Sequence, residues 1–334
     1  SIVAYRTALF LFPVMGLLDF PERYGLTRAR LPYPTGIIAV LLFLAIGLPI
    51  IAQQSDTQAF IIGASLIILA ITSFIDDRWT LPISIRLGIQ MMVALLLFWS
   101  GAQIFTITHP FGGIINLDQV ILTIPHIGNI AIFSLFFTLC WLLFTMNAFN
   151  WADGISGQIS TLSSSGFAII ALLGAIRTHQ ENITLLSVVL CSIALATACI
   201  EGRRSPTMIL GDTGSMFFGL MLGLLAIYQG GKVATTFITF GIPLADAIVV
   251  IIKRISQGQS PLQGGRDHLH HQLLQKGIRP ETIALWSGCI SLCSGFIALF
   301  LSTQGKCIQA GVMFLAVAGV HWWTRGKDEG KGSK

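Results

Sequence analysis

Apolar stretches long enough to cross a bilayer follow one another along the chain, separated by short polar punctuation. A membrane-crossing helix needs about 20 mostly apolar residues. The pattern predicts spans at roughly 3–18, 34–53, 58–75, 87–104, 130–148, 159–177, 183–200, 213–229, 233–252, 281–302 and 306–323. The first is short and Ser1 is not a methionine, so a few residues are expected to precede it. The expected architecture is an all-α polytopic membrane protein with about 10–11 transmembrane helices. It reads as one integral-membrane domain over 1–325 and a basic, glycine-rich tail over 326–334. The β-formers of 104–108 and 120–124 flank Gly112-Gly113, predicting a short hairpin on the outer surface. His270 to Lys276, closed by Gly277, predicts a short helix in the 253–280 loop.

Composition agrees with the pattern: 54% of the 334 residues are hydrophobic and 10% are charged, against roughly 25% charged in soluble domains. Charge then sets sidedness. The segments 19–33, 76–86, 149–158, 201–212, 253–280 and the end from 324 hold 16 of the 20 Lys and Arg residues. Basic residues collect on the cytoplasmic side of membrane proteins, so these segments are assigned there. The net charge of +5 is spread thinly between spans, which makes it a topology signal and excludes a nucleic-acid partner. The six cysteines lie in or beside apolar runs without metal-type spacing and read as small hydrophobes. No cleaved leader and no appended soluble domain are expected.

The polar punctuation carries the candidate chemistry, and every cluster falls on the cytoplasmic side. Asp76-Asp77 ends span three; adjacent carboxylates repel and favour a divalent cation, a phosphate-bound metal or a proton, or else they are solvated acids at the boundary. Asn147, Asn150 and Asp153 recur at helical spacing on one face, and Gly154 and Gly157 let backbone approach a ligand. Asn is costly at an apolar helix end unless it binds something. Gly211-Asp212-Thr213-Gly214-Ser215 opens span eight, where an acid serves as a cap or as part of a metal and phosphate site. Asp246 lies inside span nine, a functional position by default unless Lys253 or Arg254 neutralises it. Asp267-His268-Leu269-His270-His271 suggests zinc at first sight. With no cysteine nearby, positioning a diphosphate together with Arg266 fits better than zinc, and a solvated loop is the plain alternative.

Taken in order, these motifs resemble the polyprenyl-phosphate N-acetylhexosamine-1-phosphate transferase family, which includes the phospho-MurNAc-pentapeptide translocases. The resemblance runs from about Asp19 to Gly277. It rests on Asp76-Asp77, Asn147-x-x-Asn150-x-x-Asp153-Gly154, Gly211-Asp212-x-Gly214-Ser215, Pro243-x-x-Asp246 and His268-x-His270-His271. Arg78-Trp79 with Arg86 and Gln90 is similar to the WecA-like branch, whose donor is UDP-GlcNAc. Thr80 and Gln272 stand where the translocases carry Lys and a third consecutive His, against a peptide-bearing donor. The branch usually carries Asp where this chain has Ser156, which leaves the donor sugar less settled than the reaction.

The resemblance implies transfer of HexNAc-1-phosphate, first of all GlcNAc-1-phosphate, from a UDP-sugar to undecaprenyl phosphate with release of UMP. That is the first membrane step of a cell-envelope polysaccharide such as O-antigen, at the cytoplasmic face of the bacterial inner membrane. It implies Mg²⁺, with Mn²⁺ as alternative, held mainly by Asp212 with Asn150 or Asp77. Asp76 would polarise or deprotonate the lipid phosphate, Asp153 and Asn147 orient the donor, and Arg266, His268, His270 and His271 address its phosphates. Asp77 is also placed among the catalytic groups, and Arg86 and Asp246 among the substrate-binding ones. A homodimer follows from the resemblance alone. The competing readings are another donor (UDP-QuiNAc, UDP-GalNAc or UDP-FucNAc) and, in a different class, a cation-coupled transporter. A transporter would place its acids near the midplane and show a repeat, whereas these acids share one face.

Overall fold

The computed structural model describes residues 1–21, 29–109, 113–125, 128–176, 180–202, 207–230, 233–260, 265 and 267–325. The tail assigned to 326–334 lies outside the described residues. The chain begins with α1 (Ile2–Val14), α2 (Gly36–Ala52), α3 (Asp56–Trp79) and α4 (Ile83–Trp99). Four short strands follow: β1 (Thr106–Thr108), β2 (Ile114–Asn116), β3 (Ile121–Ile124) and β4 (Gly128–Ala131). Then come α5 (Ile132–Ala152), α6 (Gln158–Ile176), α7 (Glu181–Glu201) and α8 (Gly211–Tyr228). The remainder is α9 (Val233–Thr239), α10 (Gly241–Ser256), α11 (Leu269–Gln275), α12 (Pro280–Phe300) and α13 (Thr303–Arg325). Among the described residues seven helices (α3, α5, α6, α7, α8, α12, α13) are long and apolar enough to cross a membrane, and α1, α2 and α4 are shorter apolar helices. The chain is a multi-pass membrane protein.

Two sequence expectations are corrected. Span nine is not one helix but α9 and α10, broken at Phe240. Pro243 has no N–H to donate and its ring would strike the carbonyl four residues earlier, that of Thr239. The freed carbonyls are taken over by α12: Ser291 Oγ donates to Thr239 O at 2.6 Å and Ser294 Oγ to Ile238 O at 3.3 Å. Serine hydroxyls therefore satisfy backbone that lipid would leave bare. The break pushes the Phe240 ring inward, 5.4 Å from Phe149 and 6.4 Å from Phe167. The outer segment is likewise two hairpins, not one: β1 pairs antiparallel with β2, and β3 with β4. The 104–108 and 120–124 segments each find a nearer partner, because closing a short loop costs less entropy than closing a long one.

Helix α8 is the axis of the bundle, with Asp212 and Tyr228 its only residues not fully buried. A helix apolar all round belongs in the middle. Within a bilayer, lipid is as apolar as leucine, so close van der Waals packing of small residues must hold such a helix. Gly219 and Gly223 supply it: a Cβ at Gly219 would lie 2.6 Å from Thr145 O, and one at Gly223 2.6 Å from Thr145 Oγ1. This contact sets the register of α5 on α8 and carries the C-terminal turn of α5 to the N-terminus of α8. The end of α3, the start of α4, the end of α5 and the start of α8 thus meet at one end of the bundle. The hairpins lie beyond the opposite ends of α4 and α5.

Candidate active site

At that junction Asp77 performs a task the sequence did not reveal. Its Oδ1 accepts from Tyr33 Oη at 2.5 Å and from the Asp212 N–H at 2.9 Å. Its Oδ2 accepts from the Thr213 N–H at 3.2 Å and Thr213 Oγ1 at 2.8 Å. Helix N-termini leave N–H groups without partners and carry partial positive charge, and α8 has no side-chain cap of its own. Asp77 is its cap, supplied from α3. A carboxylate offers about four acceptor sites, and three of these four donors belong to α8, so Asp77 is committed largely to that helix; the sequence reading had set it against a metal. Gly211 makes the approach feasible: its φ is +77°, and a Cβ there would lie 2.9 Å from Asp77 Oδ2.

Beside it, three oxygens converge on Arg86 of α4. Asp76 Oδ2 lies 2.9 Å from Nη1, Asp212 Oδ2 lies 3.4 Å from Nη2, and Nη2 donates to Asn150 Oδ1 at 3.1 Å. Asp76 is aimed by its other oxygen, which takes the Leu81 N–H at 2.6 Å after Thr80 turns the chain with φ +49°. Asn150 donates to Ser215 Oγ at 3.3 Å, fastening α5 to α8. One turn deeper, Asn147 donates to Gln90 Oε1 at 2.7 Å, and Gln90 reaches Met216. Asp153 is half-buried just past α5. Burial pushes its carboxyl well above the usual carboxylate range, and Glu201, Asp212 and Asp77 push further in the same direction.

The histidine motif forms a second cluster. Asp246, 3% exposed, is held by His268 Nδ1 at 2.8 Å, the Leu269 N–H at 2.9 Å and His321 Nε2 of α13 at 2.7 Å. Lys253 and Arg254, which the sequence offered as its neutralising partners, pair instead with Asp267 at 2.5 and 3.3 Å. That Lys253 hydrogen bond holds the Asp267 carboxyl below its usual range. Asp246, expected to bind substrate, is enclosed as an anchor for the histidine loop. The predicted short helix appears as α11. His268 stacks on Trp151 at 6.0 Å and His270 on His268 at 6.2 Å, which joins this cluster to the end of α5. Desolvation, reinforced by His271, lowers the His270 pKa to about 3, so its ring is neutral. Its Nε2 is buried and unpartnered among the described residues, against Gly154, where any Cβ would collide with the ring.

The structure therefore brings Asp76, Asp77, Arg86, Asn150 and Asp212 into one hydrogen-bonded group, with Asn147 below it and Asp153 beside it. Asp246, His268, His270 and the half-buried His271 form the adjoining group. Arg203, Arg204 and Arg266 lie outside the described residues. Two participants were missed. Glu201 accepts from Ser160 Oγ at 2.5 Å and from the Leu210 N–H at 3.1 Å, while Ser156 Oγ donates to its backbone carbonyl at 3.1 Å. It ties the Asp153 loop to the chain entering α8; as a lone acid at a span end it belongs to none of the sequence motifs. His321 sits in an apolar run, and the rule that selected Asp246 should have selected it too.

The oxygen-only set around Arg86 suits a hard cation such as Mg²⁺, which takes one or two carboxylates and fills its remaining positions with water and substrate phosphate. Among the described residues no group of three His, Cys, Asp or Glu side chains is arranged as a metal cage. Asp212 and Asn150 are the residues that fit such an ion.

A family model for glycosyl transferase family 4 matches residues 59–230. That covers more than half of the chain and all of the acid cluster, and the chain belongs to this family. Three relatives lie at similar distance. The decaprenyl-phosphate N-acetylglucosaminephosphotransferase of Mycolicibacterium smegmatis is 27% identical over 84% of this chain and 74% of its own length. The probable undecaprenyl-phosphate N-acetylglucosaminyl 1-phosphate transferase of Bacillus subtilis is 23% identical over 95% and 88%. The undecaprenyl-phosphate alpha-N-acetylglucosaminyl 1-phosphate transferase of Escherichia coli K12 is 26% identical over 81% and 74%.

Proposed function

We propose that this chain transfers N-acetylglucosamine 1-phosphate from UDP-N-acetylglucosamine to a polyprenyl phosphate, releasing UMP at the cytoplasmic face of a bacterial inner membrane. The observation that carries the reading is the convergence of Asp76, Asn150 and Asp212 on Arg86 at one end of the bundle, in a chain of this family. The names of the relatives supply the acceptor and the sugar. The distribution of Lys and Arg supports the orientation, and the clustering of acids at helix ends speaks against a cation-coupled transporter.

In the reaction an oxygen of the lipid phosphate attacks the sugar-bearing phosphorus of the donor. The bond from that phosphorus to the bridging oxygen breaks, and UMP leaves with the electron pair. The acceptor is already anionic near neutral pH, since the second pKa of a phosphate monoester is about 6. The difficulty is bringing two anions together. Arg86 answers part of it, because a guanidinium offers paired donors to phosphate oxygens; Asp76 holds that guanidinium in place. Mg²⁺, when bound by Asp212 and Asn150, supplies further neutralisation of the diphosphate. Asp153 and Asn147 orient the donor, and His270 and His271 address its phosphates together with Arg266. A small cleft beside Asp76 and Arg86 is lined by Leu69, Ile89 and Met216 together with Thr72, Ser73 and Gln90.

Mass-spectrometric product analysis with undecaprenyl phosphate and a panel of UDP-HexNAc donors, with and without EDTA, tests the reading. The expected products are undecaprenyl-diphospho-GlcNAc and UMP, both lost in EDTA; no UMP from any donor overturns the proposal. Arg86→Lys should lower turnover about 10- to 100-fold with a raised acceptor KM, because an ammonium cannot span the oxygens that a planar fork reaches.

A further inference from the structure

The histidine cluster contains a residue that nothing in the reaction scheme above uses. His321, 2% exposed, projects from α13 into the contact between α10 and α11. Its two nitrogens have different partners: Nε2 meets Asp246 Oδ1 at 2.7 Å, and Nδ1 meets Gln272 Nε2 at 2.9 Å. The amide of Gln272 is fixed in orientation. Its nitrogen also donates to Asp267 O at 2.6 Å, and its oxygen takes the Thr324 hydroxyl. A flipped amide would set oxygen against oxygen at Asp267. Gln272 nitrogen can only donate, so His321 Nδ1 accepts and its proton sits on Nε2, directed at Asp246. Asp246 in turn accepts from His268 Nδ1 and from the Leu269 N–H, at the first residue of α11.

We infer that His321 is a positioning residue for the donor site. Through Asp246 it fixes the tautomer and ring plane of His268, and through Gln272 it sets the attitude of α11. Two further observations show what is being positioned. His268 is stacked between Trp151, which lies between Asn150 and Asp153, and His270. His270 in turn keeps a buried Nε2, unpartnered among the described residues, against Gly154, next to Asp153. A network that leaves no donor of His321 or Gln272 unused, and ends on one nitrogen without a partner, prepares that nitrogen for a ligand. The chain of contacts runs from α13, outside the residues matched by the family model, to the donor side of the acid cluster. The inference rests on the transfer reading for the identity of the ligand, a nucleotide-sugar diphosphate, but not for the linkage itself.

Two variants separate positioning from bulk stability. In His321→Gln, an amide nitrogen can still donate to Asp246 and its oxygen accept from Gln272. His321→Leu fills the space and removes both. His321→Leu should raise the UDP-GlcNAc KM about tenfold or more, with a smaller change in kcat and no change in the undecaprenyl phosphate KM, while His321→Gln recovers most of the loss. In parallel, ¹⁵N-imidazole spectra of the detergent-solubilised protein should give His268 as the Nδ1–H tautomer in the parent and in His321→Gln, and a mixture in His321→Leu. An unchanged donor KM in folded His321→Leu overturns the inference, as do equal rises in both KM values tracking a fall in melting temperature. A parent protein without turnover would count against the transfer reading alone. The His268 spectrum would then decide: an Nδ1–H signal unaffected by His321→Leu sinks the linkage.

Discussion

The two polar clusters of this protein are built from similar numbers of ionisable side chains and have opposite characters. Around Arg86 the carboxylates are shared and partly open: the Asp212 side chain is 31% exposed, and one guanidinium serves three oxygens. Around Asp246 everything is sealed: its side chain is 4% exposed, and a backbone N–H and two imidazoles hold it. The open cluster keeps part of its polar surface exposed. The sealed one is arranged so that nothing moves. The contrast also divides Asp76 from Asp77, neighbours in sequence. One aims Arg86 into the open cluster, and the other is spent on the start of α8 and on Tyr33.

The comparison is most exposed at Asp212. Asp212→Ala should leave the fold intact by gel filtration and lower UMP release about 10²- to 10³-fold, the scale of removing one preorganised electrostatic group; unchanged turnover at saturating Mg²⁺ would place the open site elsewhere. Asp77→Ala comes next, and its signature should be stability. Losing a cap and its charge-assisted bonds costs about 2 kcal/mol, read as a lower melting temperature. The Mg²⁺ concentration for half-maximal activity should stay as in the parent, and a large rise in it would make Asp77 a ligand after all. The smallest effect concerns His270. Its folded-state pKa of about 3 lies below the 6.5 of an unfolded histidine. Below pH 6.5 the unfolded chain therefore takes up a proton that the folded chain refuses, and stability falls as pH drops from about 6.5 towards 3. The slope is at most ~1.4 kcal/mol per pH unit. His270→Gln should flatten the fall in melting temperature between pH 6.5 and 5; an identical slope would mean the ring is charged in the folded protein.

The sequence alone told a great deal about which residues gather and little about how they pair. Asp76, Asn150 and Asp212 were legible because acids and amides are expensive at the ends of apolar spans and so mark function. Arg86 was legible from the motif around the Asp pair. The division of labour between Asp76 and Asp77 was not, because it depends on which carboxylate faces the N-terminus of α8. Glu201 and His321 were passed over because each is a lone polar residue whose partners are far away in sequence: Ser160 for the one, Asp246 for the other.

What the sequence by itself determined is the membrane-embedded helical class, the expectation of a cytoplasmic face for the polar segments and the list of groups that gather at one end of the bundle. All of these follow from local quantities: the apolar length that a bilayer demands, the excess of Lys and Arg, and the cost of polar atoms in lipid. What only the tertiary structure decided is who pairs with whom. Pro243 announced a break, but where its freed carbonyl would go depended on Ser291 of α12. Gly219 and Gly223 allowed a close approach, but only packing chose Thr145 of α5 to fill it. Hydrogen bonds in a bundle are satisfied across helices, so the partner of each buried polar group is a property of the assembled fold.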